Sequence, residues 1–306
     1  MLTRVACVFS FGALCAGLAM AASFRIEIIA KAGQSVPGVG LIQVVNSVAV
    51  NNSGIWLMEV DTDAPTTEDL VLWKGTDPPT VIMQEGQSLL NPAGATISSF
   101  GVVRTNINNL GQSALTLSLN GLPSNQDTGI FLNDTLLVQE GSISTAPQLS
   151  NGTPFIGFFG ALVNDNGKLV VIASVDDPSI ATTVDRVLMH IDVATGTQTV
   201  IAKEGDILPG QASPVADFAT DRDTFALNNN GDVMYVVDTT AATTIDGVVY
   251  INSTVVAQEG SPSPVPGPRW NKLGPGTRAG LNSSGSYVLR RPRAREKSSR
   301  RCARRP

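Results

Sequence analysis

The sequence predicts an all-β chain built from one four-stranded unit, with four complete copies and a partial fifth. Three observations predict it. Two short phrases recur in step along the chain. The stretches between them are rich in Val, Ile, Leu and Thr and alternate apolar with polar residues at period two. No long stretch carries the 3.6-residue period of an amphipathic helix.

The first phrase reads IIAKAGQSVPG from Ile28, VIMQEGQSLLNPAG from Val81, LLVQEGSISTAP from Leu136, VIAKEGDILPG from Val200 and VVAQEGSPSPVPG from Val255. Its glycines, Gly33, Gly86, Gly141, Gly205 and Gly260, are spaced 53, 55, 64 and 55 residues apart. The second reads VNNSGIW from Val50, INNLGQS from Ile107, VNDNGKL from Val163, LNNNGDV from Leu227 and LNSSGSY from Leu281. Its glycines, Gly54, Gly111, Gly167, Gly231 and Gly285, are spaced 57, 56, 64 and 54 residues apart. Both series lengthen at the same step, so they are two landmarks on one repeated unit with an insertion in the third copy.

The elements of a unit follow in order. A Pro/Gly/Ser loop leads into a first apolar strand such as SSFGVVRTNIN, which ends at the Asn-x-x-Gly turn. Asn51, Asn108, Asn164, Asn228 and Asn282 open these turns, because Asn and Gly tolerate the backbone a tight turn demands and an Asn side chain bonds nearby amides. A second strand such as QSALTLSL alternates cleanly. A third, TGIFLN, turns tightly into a fourth, TLLVQEG. Four short antiparallel strands in a repeat of about 55 residues describe the blade of a β-propeller-like array, the kelch class of which has a period near 50. One blade cannot bury both faces alone, so neighbours stack to share cores. The Glu-Gly phrase then marks the exit from each blade. Gly33, Gly86, Gly141, Gly205 and Gly260 supply positive φ there, while Glu85, Glu140, Glu204 and Glu259 accept backbone amides at the blade boundary. An open β-solenoid, or a row of small β-sandwiches, is the alternative architecture.

The Asn-x-x-Gly turn, the alternating strand, GIF or GVVY, and the Gln/Lys-Glu-Gly exit with its Pro-Gly loop resemble a family of bacterial secreted tandem-repeat proteins. That family carries Asn-x-x-Gly-x-x-x-x-Ala-Phe motifs and varied C-terminal anchors. The resemblance spans residues 24–289. All five copies hold the Asn-x-x-Gly half, whereas Met58-Glu59, Leu115-Thr116, Val171-Ile172, Tyr235-Val236 and Leu289-Arg290 stand where Ala-Phe is expected. The resemblance implies export, display at the cell surface and no assigned chemistry.

The ends differ from the repeats. Residues 1–22 have one early arginine, Arg4, an apolar run and a closing Ala19-Met20-Ala21-Ala22, the pattern of a cleaved signal peptide. An uncleaved membrane anchor is the alternative. Cys7 and Cys15 lie within that segment, and Cys302 alone lies outside it, so neither an internal disulfide nor a cysteine metal site is expected. The repeat domain is placed at 23–289. FRIEIIAKAG is expected to form the last strand of a blade, and WNKLGPGTRAGLNSSGSYVL a first and second strand.

Residues 290–306 hold nine of the chain's 21 basic residues and one of its 26 acidic ones, leaving 12 bases against 25 acids elsewhere. The acidic body does not attract nucleic acid. The tail reads as a disordered basic segment, as an electrostatic contact for acidic polymers, or as sequence read out of frame.

Candidate chemistry is sparse. The chain has one histidine, His190, on the same strand face as Asp192. That pair is half of a catalytic triad, or else a half-exposed strand face with a weak His–Asp contact. No G-x-S-x-G, P-loop or paired-histidine metal motif occurs. The acids of Asp61–Asp69 and of 219–225 lack the spacing of a calcium loop. A ring of the four repeated glutamates would suit a cation, and exposed Trp56, Trp73 and Trp270 would suit sugar rings. The expectation is a non-catalytic structural or interaction module without cofactor or metal, whose partner is a cell-surface protein or polysaccharide. A carbohydrate-binding propeller is the alternative, and a hydrolase is a more distant one.

Overall fold

A computed structural model describes residues 26–290, except 76–77, 102–104, 181–184, 221–223, 265–268 and 275–276. The expectations for the signal segment and for residues 291–306 therefore lie outside the described residues. The described residues form strands, bridges, turns and bends, with no helix among them.

Each unit folds as its own antiparallel meander. In the first sheet a two-residue edge strand, β1 (Ser35–Val36), precedes the four blade strands β2 (Gly40–Val50), β3 (Trp56–Thr62), β4 (Leu70–Gly75) and β5 (Thr80–Gln84), so that β4 and β5 are the third and fourth strands of this blade. The second holds β6 (Thr96–Phe100), β7 (Ala114–Asn120), β8 (Thr128–Leu132) and β9 (Thr135–Gln139). The third holds β10 (Phe155–Val163), β11 (Lys168–Val175), β12 (Arg186–Asp192) and β13 (Gln198–Lys203). In the fourth, β14 (Val215–Phe218) and β15 (Phe225–Leu227) both pair with β16 (Val233–Thr239), as the halves of one interrupted first strand. β17 (Gly247–Ile251) and β18 (Thr254–Gln258) complete it. The partial fifth is a hairpin of β19 (Arg278–Leu281) and β20 (Tyr287–Arg290). Arg290, placed in the tail on sequence, is thus the last residue of a strand.

Every named strand pairs within its own sheet. A solenoid would pair strands of successive coils, so the blade architecture holds and the fold is an all-β, propeller-like array. Between the third and fourth strands of all four full sheets the register slips at the same place: at Leu72/Trp73, Ile130/Phe131, Leu188/Met189 and Val249/Tyr250. Such a bulge strengthens strand twist, so each blade is twisted alike.

The cores lie between sheets, and period two assigns residues to them. Along β11, Leu169, Val171 and Ala173 pack toward the second sheet, whereas Val170 and Ile172 pack toward the fourth. Analogous clusters join the first sheet to the second and the fourth to the fifth. Full burial of each such aliphatic side chain contributes about 1.5–3 kcal/mol, which makes the interfaces the main source of stability. The remaining face of the first sheet carries Met58, Val60, Val71 and Trp73, with Ile29 and Ala30 against it.

One expectation fails here. FRIEIIAKAG (residues 24–33), anticipated as a last strand, shows in its described part, residues 26–33, a single bridge residue, Ile28, and no named strand.

Candidate functional site

The turns and blade exits singled out in the sequence come together as two systems of inter-blade bonds. In each Asn-x-x-Gly turn the asparagine carbonyl accepts the glycine N–H, from Gly54, Gly111, Gly167, Gly231 and Gly285, at 3.0–3.3 Å. These glycines hold φ of 69–87°, a region that costs other residues about 1–2 kcal/mol. The Oδ1 atoms of Asn51, Asn108, Asn164 and Asn282 each accept the amides two and four residues on, and Asn228 Oδ1 accepts that of Asp232.

This leaves each side-chain NH2 free to reach the next turn. Asn51 Nδ2 donates to the Asn108 carbonyl at 3.1 Å, Asn108 to Asn164 at 3.0 Å, Asn164 to Asn228 at 2.9 Å and Asn228 to Asn282 at 3.1 Å. The result is an asparagine ladder running from blade to blade. The first four asparagines are buried, at 3–8 % exposure, whereas Asn282 is exposed. A parallel set of bonds links the next residues: Asn52 N–H to Asn109 Oδ1, Asn109 N–H to Asp165 Oδ1, and Asp165 N–H to Asn229 Oδ1. Burial alone would raise the pKa of Asp165. The bonds it accepts from the Asn109 amide and from the Asn109 and Asn229 side chains outweigh that and hold it below the usual carboxylate range.

The exits form the second system. Gly33, Gly86, Gly141, Gly205 and Gly260, with φ of 77–84°, donate N–H bonds of 2.7–2.9 Å to the carbonyls of Ile42, Ile97, Phe155, Val215 and Trp270. Each of those residues returns an N–H to the residue after the glycine, at 2.9–3.0 Å. The amides of Glu85, Glu140, Glu204 and Glu259 meanwhile bond the start of the third strand of their own blade, at Leu70, Thr128, Arg186 and Gly247. Glutamate and glycine thus fasten one blade to the next through adjacent backbone amides.

The glutamate side chains differ from copy to copy. Glu204 accepts the Arg186 amide and Glu259 that of Leu273, as the sequence led us to expect. Glu140 accepts the Thr128 hydroxyl instead, and Glu85 Oε2 is buried without a partner.

Sequence reasoning missed their neighbours. Asp69, Asp127, Asp185 and Asp246 each stand immediately before a third strand. The signal was present, as an aspartate recurring at 58, 58 and 61 residues. Burial, and then a hydrogen bond and charge from Asp69, raise Glu85. Burial and Asp246 likewise raise Glu259 against the Leu273 amide. Burial raises Glu140 too, opposed by Thr128 and reinforced by Asp127. Glu204 is pushed up to about 6 by burial, with Asp217 adding to the effect and the Arg186 amide and charge opposing it. Asp238, beside the fourth exit, is also pushed to about 6, by burial first and then by the charges of Asp246, Asp217 and Glu259. These carboxyls hold protons more tightly than free ones. Among the described residues, no group of three or more acids, histidines or cysteines is arranged to hold a metal ion.

The other candidates do not assemble. Asp192 is engaged by Lys168 and by the Ala194 and Thr195 amides rather than by His190. The weak His–Asp contact is therefore not formed, because the lysine lies directly across the ladder from the aspartate. Burial lowers the pKa of His190. Trp73 is 3 % exposed, and Trp56 meets it edge-on at 5.1 Å while covering Gly75. Trp270 packs into the last inter-blade core. The expected exposed tryptophan face is thus absent among these three residues, since each ring fills space between or beside sheets.

Residues 12–260 match the model of a family described as of unknown function, DUF7453. No curated protein matches the chain. Among solved structures, the chain is similar to PorZ, a surface component of the type-IX secretion system of Porphyromonas gingivalis, at 14 % identity and a TM-score of 0.41. That match covers 78 % of this chain and 31 % of PorZ, so the chain spans about a third of PorZ's length. A puromycin hydrolase matches at 12 % identity and a TM-score of 0.34, over 81 % of this chain and 33 % of that one. The WD40 β-propeller domain of Doa1 matches at 14 % and 0.30, over 82 % and 77 %.

Proposed function

The chain belongs to this family of unknown function, DUF7453, and on that premise we propose that it is a non-catalytic repeat module, exported and displayed at the cell surface, acting as a structural or interaction scaffold. One observation carries the reading. The polar residues repeated in every unit are engaged in joining blades: Asn51, Asn108, Asn164 and Asn228 in the ladder, and the exit glycines in paired backbone bonds. A site for chemistry would instead lie where the blades differ. In His190 and Asp192, the one such pair the sequence offers, the aspartate is engaged by Lys168 and by the Ala194 and Thr195 amides instead. Export rests on the signal-like segment at residues 1–22 and on the resemblance to secreted repeat proteins.

The test is to express the full chain with a C-terminal epitope in a bacterial host, fractionate the cells and sequence the mature N-terminus. A start just after Ala21 or Ala22, together with cleavage of the repeat domain by protease added to whole cells, is expected. An intact N-terminus in the cytosol would sink the reading. Titration with polysaccharides while following tryptophan fluorescence addresses the carbohydrate alternative, and no shift is expected because Trp73 is buried and Trp56 packs on it.

A further inference from the structure

The blade-to-blade interface repeats four times, and at the two ends of the described residues matching halves of it are unmated. Two positions define it. The third residue after each turn glycine faces the following blade: Leu57, Ala114, Val170 and Met234 sit in successive inter-blade cores at no more than 2 % exposure. The residue before each ladder asparagine faces the preceding blade, where Ile107, Val163, Leu227 and Leu281 join the same cores. At the ends these positions are bare. Val288, the fifth residue of the first kind, is 64 % exposed. Val50, the first of the second kind, is 45 % exposed, and Val48 on the same face is 39 % exposed.

The polar ladder stops in the same complementary way. At the last turn, the Asn282 side-chain NH2 and the Ser283 N–H have no acceptor among the described residues, though their counterparts Asn164 Nδ2 and Asp165 N–H do. At the first turn, among the described residues, the Asn51 carbonyl receives the Gly54 N–H but no side-chain amide, and Asn52 Oδ1 has no donor, though its counterpart Asn109 Oδ1 accepts the Asn52 amide. Two donors and an apolar face at one end therefore match two acceptors and an apolar face at the other. Among the described residues of one chain they are not joined.

The geometry points to head-to-tail association of this protein with a second copy, in which the Asn282–Val288 face of one molecule takes the Asn51–Val50 face of the next as its following blade. Asn282 Nδ2 then bonds the Asn51 carbonyl of the partner, Ser283 N–H bonds its Asn52 Oδ1, and Val288 covers its Val48 and Val50. The contact continues an interface the chain already makes four times. It is heterologous, so it leaves one free face of each kind on every dimer and propagates to a closed ring or an open row. This goes beyond the proposed function, which concerns export and display and has its own test.

Sedimentation of the full chain over a range of concentrations tests it, with Val50→Glu and Val288→Glu as end-specific variants. Both positions are exposed, so unchanged circular dichroism and melting are expected. Wild type should gain mass with concentration, and each variant should stay monomeric. An equimolar mixture should give a species of twice the monomer mass and nothing larger, because each variant retains the face the other has lost. Asn282→Asp keeps the acceptor that caps its own turn but loses the ladder donor, and should weaken association at least about tenfold, the worth of one hydrogen bond. A wild type that is monomeric at every concentration overturns the inference. So does a mixture that fails to form the capped dimer, or an end variant that associates as wild type does.

Discussion

At the scale of single residues, an asparagine at the head of each turn serves two ends at once. Its oxygen closes its own turn and its nitrogen reaches the next, so its value depends on what lies beyond it. Asn164, 3 % exposed, loses the bonds to the Asn166 and Lys168 amides and to the Asn228 carbonyl when replaced. Asn164→Ala should destabilise the fold by about 2–4 kcal/mol, since buried groups are left unpaired. Among the described residues the Asn282 side chain makes only local bonds, and it is exposed, so Asn282→Ala should cost about 1 kcal/mol or less. Denaturant titration of the two variants reads the difference, and equal losses would contradict the ladder. Asparagine as a turn former was legible from its pattern. Its reach into the next blade was not, because nothing local says where a free amide points.

At the scale of the element, the blade exit combines a backbone lock with a carboxylate. Glu204 illustrates the sign of its effect. Its folded pKa, about 6, lies above its ordinary 4.5. The folded state therefore holds this proton more tightly, and the associated stability is full below about pH 4.5 and lost as pH rises through about 6. At 4 % exposure the loss is on the order of 1–2 kcal/mol. Glu204→Gln should flatten the melting temperature between those pH values, and an unchanged slope would assign it elsewhere. Gly247 marks another element-scale limit. A Cβ there would lie 2.0 Å from the Leu273 carbonyl oxygen, which crosses between the fourth blade and the partial fifth. Gly247→Ala should cost about 3 kcal/mol, with hydrogen exchange rising first in β19 and β20. The exit was readable as a turn from Glu-Gly. The aspartate that faces it lies 13–19 residues upstream of the glutamate, Asp69 before Glu85 and Asp185 before Glu204, and only strand pairing brings the two together.

Over the whole molecule these contributions oppose one another. Burial tends to raise Asp165 and Asp177, but the amide and hydroxyl bonds they accept hold both below the ordinary range. Their stability is present above about pH 4 and lost in stronger acid. Glu204 and Asp238, raised by burial, lose theirs as pH rises through about 6. The melting temperature should therefore peak at about pH 4–5 and fall on both sides, which differential scanning across pH checks. A stacked array is also stabilised neighbour by neighbour. The second, third and fourth blades each have a partner on both faces, so β6–β18 should show stronger amide protection than the β19–β20 hairpin, which packs on one blade alone among the described residues.

The sequence by itself determined the unit, its four-fold copying with a partial fifth, the strand order and the special turns, because period-two alternation and positive-φ glycine are local requirements that every copy meets alike. Tertiary structure decided the rest. It turned Asn51, Asn108, Asn164 and Asn228 into a ladder, set Glu85 beside Asp69, drew Asp192 to Lys168 and sank Trp73 between side chains. The ladder depends on which turn stacks on which neighbour more than 50 residues away, and the contacts within a blade depend on which strands pair and in what register; neither leaves a trace in the local spacing of a segment.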